Sequence, residues 1–163
     1  MGNQSLTPHA RHVIEPIISF AMQTSVLAAL RRAQAVAVSR LQREPTLHAT
    51  FVAVDPTSLG VTVPPAIGTI RVAISRAGRD AALERHPNST QVLLVLDGTI
   101  ETHTETADGW RIDRYGDGSA AVLENRWHFV PQGMWHKSSA PGPGDCVLAV
   151  FHSAREVQDQ YRE

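Results

Sequence analysis

The run Glu84-Arg85-His86-Pro87-Asn88-Ser89-Thr90-Gln91-Val92-Leu93-Leu94-Val95-Leu96-Asp97-Gly98 changes character midway. Its first half is polar and carries turn residues; its second half is apolar until Asp97-Gly98. On a strand, residues two apart point to the same face, so Glu84 and His86 project together. Pro87-Asn88-Ser89 favours a turn into the next strand. Gln91 opens that strand and swings in beside His86. Gln91, Leu93 and Val95 share one face, and Val92, Leu94 and Leu96 form the other. Both faces are apolar, so one is expected to line a barrel and the other to pack on a second layer.

The same texture extends outward. Short β-rich runs are expected at 47–54, 60–63, 67–76, 91–96, 99–106, 110–114, 120–123, 127–130 and 145–152. Turn signals separate them, among them Asp55-Pro56, Pro64-Pro65, Asp108-Gly109, Pro131 to Gly133 and Pro141 to Gly144. Evenly spaced short strands argue for an all-β sandwich or small barrel. Ahead of them, apolar residues recur at Ile14, Ile18, Met22, Val26, Leu30, Ala33, Ala37 and Leu41, at steps of three or four. This spacing predicts a helix over 16–43, with Pro16 in its first turn and Pro45 stopping it. Residues 1–12 are polar and expected to fray. The division is therefore a helical arm over 1–45 and a barrel domain over 46–163. The apolar stripe must bury against the body of its own subunit or against a second subunit.

Composition narrows the function. The 163 residues suit one domain, and 42% hydrophobic content suffices for a core. A net charge of −1 gives no global attraction to nucleic acid or to an anionic membrane. Cys146 stands alone, which rules out an intrachain disulfide and any zinc site built on cysteines. The expected setting is the cytoplasm. Up to Arg43 the chain has five arginines against Glu15. Organelle leaders share that bias, but a basic helix lying on an acidic barrel is the plainer reading. Gly116-Asp117-Gly118-Ser119-Ala120-Ala121 matches a dinucleotide-binding fragment by letter, but no βαβ unit fits around it.

Far from the opening run stands Pro131-Gln132-Gly133-Met134-Trp135-His136. Together the two segments resemble the cupin superfamily, whose first motif is often written H-x-H-(x)3,4-E-(x)6-G and whose second contains P-x-G-x-x-H. Here they read Glu84-x-His86-(x)4-Gln91-(x)6-Gly98 and Pro131-x-Gly133-x-x-His136. The resemblance covers about residues 68–152. It implies a small single-domain cupin: a double-stranded β-helix, or jelly-roll barrel, carrying the helical arm. Glu84 stands where the first histidine is usual and Gln91 where the glutamate is usual. The formal ligand charge is the same either way, so the two departures compensate.

The resemblance implies His86, His136, Gln91 and Glu84 as ligands of a divalent Fe, Mn, Ni, Co or Zn ion. Glu84 has a second possible role as a general base. His128 is a further candidate for catalysis or substrate contact, and Leu93, Val95 and Trp135 are expected to shape the pocket. Such a site suits isomerase or lyase chemistry on a small oxygenated metabolite, or dioxygenase chemistry if the metal is iron. The rival is a metal-free cupin that binds a small molecule without catalysis. A homodimer is expected from the apolar helix and from edges that need cover. His103, in an alternating acidic run, reads as a solvated strand face, and His152, ending the last strand, as packing or surface. Cys146 reads as a buried inert thiol.

Overall fold

The computed structural model describes residues 8–116 and 126–162. Among the described residues, ten strands form two antiparallel five-stranded sheets. In chain order they are β1 (Ala49–Val54), β2 (Thr69–Ser75), β3 (Leu83–Arg85), β4 (Gln91–Asp97), β5 (Thr99–Thr106), β6 (Gly109–Gly116), β7 (Trp127–Val130), β8 (His136–Ser139), β9 (Cys146–His152) and β10 (Gln160–Arg162). One sheet has the order β1-β2-β9-β4-β7, the other β10-β3-β8-β5-β6.

Strand β4 shows why the two layers close as they do. Val92, Leu94 and Leu96 face outward into a cluster with the helices, together with Phe129, Ala149 and Phe151. Leu93 and Val95 face inward with Ile100, Leu148 and Val150. The strand is thus buried on both faces, as its continuous apolar run requires. Full burial of each such side chain contributes about 1.5–3 kcal/mol. Gly98 ends the strand at φ +80°, and a Cβ there would lie 2.6 Å from the Asp145 carbonyl oxygen. Only glycine fits that turn.

The expected single helix is two: α1 (Pro8–Ala21) and α2 (Thr24–Arg43), bent by 82°. Helix starts already at Pro8, within the segment expected to fray, and Pro16 lies inside α1 rather than in a first turn. The break falls instead at Gln23, whose backbone is extended (φ −65°, ψ 137°). Its cause is tertiary. Ile14, Ile17 and Phe20 of α1 and Val26, Leu30, Ala37 and Leu41 of α2 all enter one core with the outer face of the first sheet. A helix pair that bends can lay both stripes on a curved surface. The three-to-four residue spacing runs on through the bend, so periodicity does not reveal it. Among the described residues, no single helix is long and apolar enough to cross a membrane.

The arm packs on its own chain. Arg31 donates to Asp97 at 2.8 Å and Arg40 to the Phe51 carbonyl at 3.1 Å, as a basic helix on the barrel would. The run 60–63 is not a strand. A 3-10 turn at Pro56–Leu59, capped by Asp55, precedes irregular chain there. Strand β3 is the short strand on which Glu84 was expected, whereas β8 and β10 escape the sequence reading because they are short and polar. The expected strand at 120–123 and most of the Gly116–Ala121 run lie outside the described residues. Cys146 is buried, and burial pushes its thiol up to about 12.

Candidate metal centre

The two sequence motifs meet at one end of the barrel. The turn after Pro131 is stitched to the turn after His86: Gly133 N–H donates to the His86 carbonyl at 3.0 Å, and Gln132 Nε2 to the Pro87 carbonyl at 2.6 Å. Glu84 on β3 then pairs directly with His136 on β8. His86 follows β3 by one residue and shares the face of Glu84. Gln91 opens β4 between Val130 of β7 and His152 of β9.

The donor atoms converge. One ligand atom each from Glu84, His86 and His136 lies within 4.8 Å of the others. The Glu84 Oε1 atom is 3.9 Å from His86 Nε2 and 3.7 Å from His136 Nε2. Those gaps exceed a hydrogen bond. Atoms bound to one ion at about 2.1 Å stand roughly 3.0–3.4 Å apart, so only a slight contraction is needed to close on a cation.

Both imidazoles are set as neutral donors. His86 Nδ1 pairs with Asp159 Oδ1 at 2.9 Å, and His136 Nδ1 with the Met134 carbonyl at 3.0 Å. Each Nδ1 therefore carries the proton, and each Nε2 presents its lone pair to the shared space. Burial holds His86 below the ordinary imidazole value, against the pull of Asp159. Burial takes His136 down to about 4. Glu84 moves the other way, up to about 7, first through burial and then through the Asp159 charge. Gln91 Nε2 lies 3.3 Å from His86 Nε2. The buried Gln91 Oε1 and His136 Nε2 have no hydrogen-bond partner among the described residues. Orphaned acceptors around a carboxylate are costly unless a cation completes them. The residues thus fit a divalent ion.

A cavity of about 240 Å³ opens over this cluster. Leu93 lines it, with Leu148 and Val150. Val95 lies deeper, packed with Ile100 and Tyr115 in the barrel interior. His128 also points into the barrel, but its Nδ1 is paired with the Tyr115 hydroxyl at 2.7 Å and it is not among the cavity-lining residues. Trp135 lies outside the cavity, between the guanidinium groups of Arg85 and Arg162 at 4.8 and 4.7 Å. Alternation explains it: His136 points inward, so its neighbour points out.

Arg71, His152, Asp159 and Tyr161 are among the cavity-wall residues that the sequence reading gave no site role. His152 was legible, since it continues the inward series Leu148, Val150 by two more positions. It stacks edge-on against His86 at 4.7 Å, and burial lowers it to about 3. Asp159 and Tyr161 gave no local signal. They arrive on the segment after β9, held by Asn88, which bonds to the Glu156 carbonyl and accepts from Gln158 N–H.

No protein-family model and no curated protein matches the chain. Solved structures do. An oxalate oxidase in complex with glycolate aligns at a TM-score of 0.55 with 12% identity, over 70% of this chain and 55% of the other. A serine-to-alanine mutant of Bacillus subtilis oxalate decarboxylase aligns at 0.55 with 17% identity, over 71% and 28%. Peruvianin-I, a cysteine peptidase from Thevetia peruviana latex, aligns at 0.56 with 13% identity, over 72% and 68%. The chain spans about half of the oxidase and under a third of the decarboxylase. Its fold is the cupin jelly roll, with an added helical arm.

Proposed function

We propose that this cupin-fold chain is a metal-dependent enzyme for a small oxygenated metabolite, with Glu84, His86, His136 and Gln91 holding a divalent cation. The observation that carries the reading is the convergence of one carboxylate and two neutral imidazoles, their Nε2 lone pairs directed into one cavity. Manganese is the first ion to test, because a structural neighbour, Bacillus subtilis oxalate decarboxylase, is described with Mn(II) centres. A cation bound there supplies Lewis acidity to a substrate oxygen. The chain does the rest. Asp159 and the Met134 carbonyl aim the imidazoles, Leu93, Leu148 and Val150 exclude water, and Glu84 either holds the cation or, left unligated beside it, takes a proton at its carboxylate as general base.

Redox-neutral isomerase or lyase chemistry is the favoured class. Two imidazoles with one carboxylate is also the set used by non-haem iron oxygenases, so an O2-dependent reaction is the alternative with iron. Metal analysis of protein purified without chelator tests the site. A stoichiometric transition metal that disappears in His86→Ala and His136→Ala supports it. No metal, with stability unchanged by chelation, favours a metal-free binding module. We also propose that the chain is cytoplasmic and forms a homodimer; the exposed Met22, Val36 and Val38 of the helical layer support the dimer. Light scattering tests the dimer, and a monomer at micromolar concentration overturns it.

A further inference from the structure

Arg71 has no assigned task, yet it sits on the cavity wall. It lies on β2, between Ala53 of β1 and Val150 of β9. Its side chain is 22% exposed, and its Nη1 stops 3.9 Å from Asp159 Oδ2. Its guanidinium rests on the Phe51 ring at 4.8 Å. Among the described residues it donates no hydrogen bond, although a guanidinium carries five N–H donors. Its donors are not sealed from solvent and stay free to meet a ligand, and a planar fork of this kind matches a carboxylate. Asp159 does not fill the fork, because its Oδ1 is committed to His86.

Charge and shape define what would. Among the described residues on the wall, Arg71 is the permanent cation, facing the carboxylates of Glu84 and Asp159, with the imidazoles neutral. With both carboxylates ionised, that set is one charge negative and repels an anion. A divalent cation at Glu84, His86 and His136 turns it one charge positive, which one carboxylate neutralises. At the mouth, Phe51 and Tyr161 are 52% and 63% exposed. Two aromatic rings left open on opposite edge strands of the two sheets offer an apolar body a place to lie.

We propose that Arg71 is the substrate-anchoring residue of the cavity and that the substrate is a small monocarboxylate with an apolar or aromatic body, its carboxylate on the Arg71 guanidinium and its body against Phe51 and Tyr161. This rests on the metal reading of the cluster, and the test separates the two. Mn2+ affinity is measured first, by calorimetry on the full chain. Benzoate, benzamide and acetate are then titrated into the Mn2+-loaded protein and into Arg71→Gln and Arg71→Lys. Benzoate is expected to bind at least about tenfold more tightly than benzamide, and to weaken by about tenfold or more in Arg71→Gln. Arg71→Lys keeps the charge but not the fork and falls between. Acetate, lacking the ring, binds more weakly than benzoate. Retained Mn2+ binding in both variants shows that they are folded. If Mn2+ does not bind, the same titrations are run with Fe2+, Co2+, Ni2+ and Zn2+, and failure of the wild-type chain to bind any of the five overturns the metal reading and this inference together. Mn2+ binding with equal benzoate and benzamide affinity, or with benzoate unaffected by Arg71→Gln, overturns this inference alone.

Discussion

The barrel interior holds two buried histidines that resemble each other closely and sit in different company. His136 and His128 are both fully buried, both have Nδ1 tied to an oxygen, and both leave Nε2 without a partner among the described residues. Burial depresses both, to about 4 and about 3. Around His136 stand the Glu84 carboxylate, the His86 imidazole and an open cavity. Around His128 stand Tyr115 and apolar neighbours of the interior. Desolvation and an orphaned lone pair are therefore not enough to make a site. Convergence of donors on shared space is what separates the two.

The largest effect expected from this contrast is on metal affinity. His136→Ala should lower Mn2+ affinity by more than about 100-fold, beyond what loss of a supporting partner costs. His128→Ala should leave it within about threefold while costing about 2–4 kcal/mol in urea denaturation, from a cavity and an unpaired Tyr115 hydroxyl. Equal losses of metal in both variants would erase the distinction. Asp159→Asn should weaken Mn2+ binding by about 10–100-fold. In the metal-free protein it should also shift the His86 ring away from the Nδ1–H tautomer, which nitrogen NMR reads directly. An unchanged tautomer would remove Asp159 from its positioning role.

Acidity sharpens the comparison further. His128, His136 and His152 bind protons less readily folded than unfolded, so their contribution is complete above about pH 6.5 and is lost as pH falls toward 4 and then 3. Each histidine adds a slope of up to about 1.4 kcal/mol per pH unit in that window. Glu84 has the opposite sign. Its folded value is raised, so the acid form is stabilising below about pH 4.5 and that stability is lost as pH rises through about 7. Glu84→Gln should then stabilise the metal-free protein at pH 8 by about 1–3 kcal/mol. If Glu84 is a ligand, the same variant weakens Mn2+; if it is only a base, Mn2+ affinity survives. The smallest effect belongs to Trp135→Leu. It loses two exposed cation–π contacts, worth about 0.5–1 kcal/mol each, and should change Mn2+ affinity less than about twofold.

Much of the centre could be read from spacing. Glu84 and His86 lie two apart and Gln91 opens an alternating strand, local relations set by the strand repeat and by turn chemistry; His136 was implied by the resemblance of Pro131-x-Gly133-x-x-His136 to the second cupin motif. The helix bend at Gln23 was not legible, because its cause is the curved sheet beneath it. Trp135 could not be placed before the direction of His136 was known. Asp159 reaches His86 across 73 residues of sequence, after an irregular stretch with no period to extrapolate.

By itself, the sequence determined that the chain alternates and turns often enough to be a layered β structure, and that Gln91, Leu93 and Val95 share a face. Those properties belong to the backbone repeat and need no partner. Only the tertiary structure decided that His128 turns to Tyr115 instead of lining the cavity, and that Arg71 and Asp159 join Glu84, His86 and His136. Which remote strands pair, and in what register, is fixed by closing two sheets around a common core, and no local pattern carries that information.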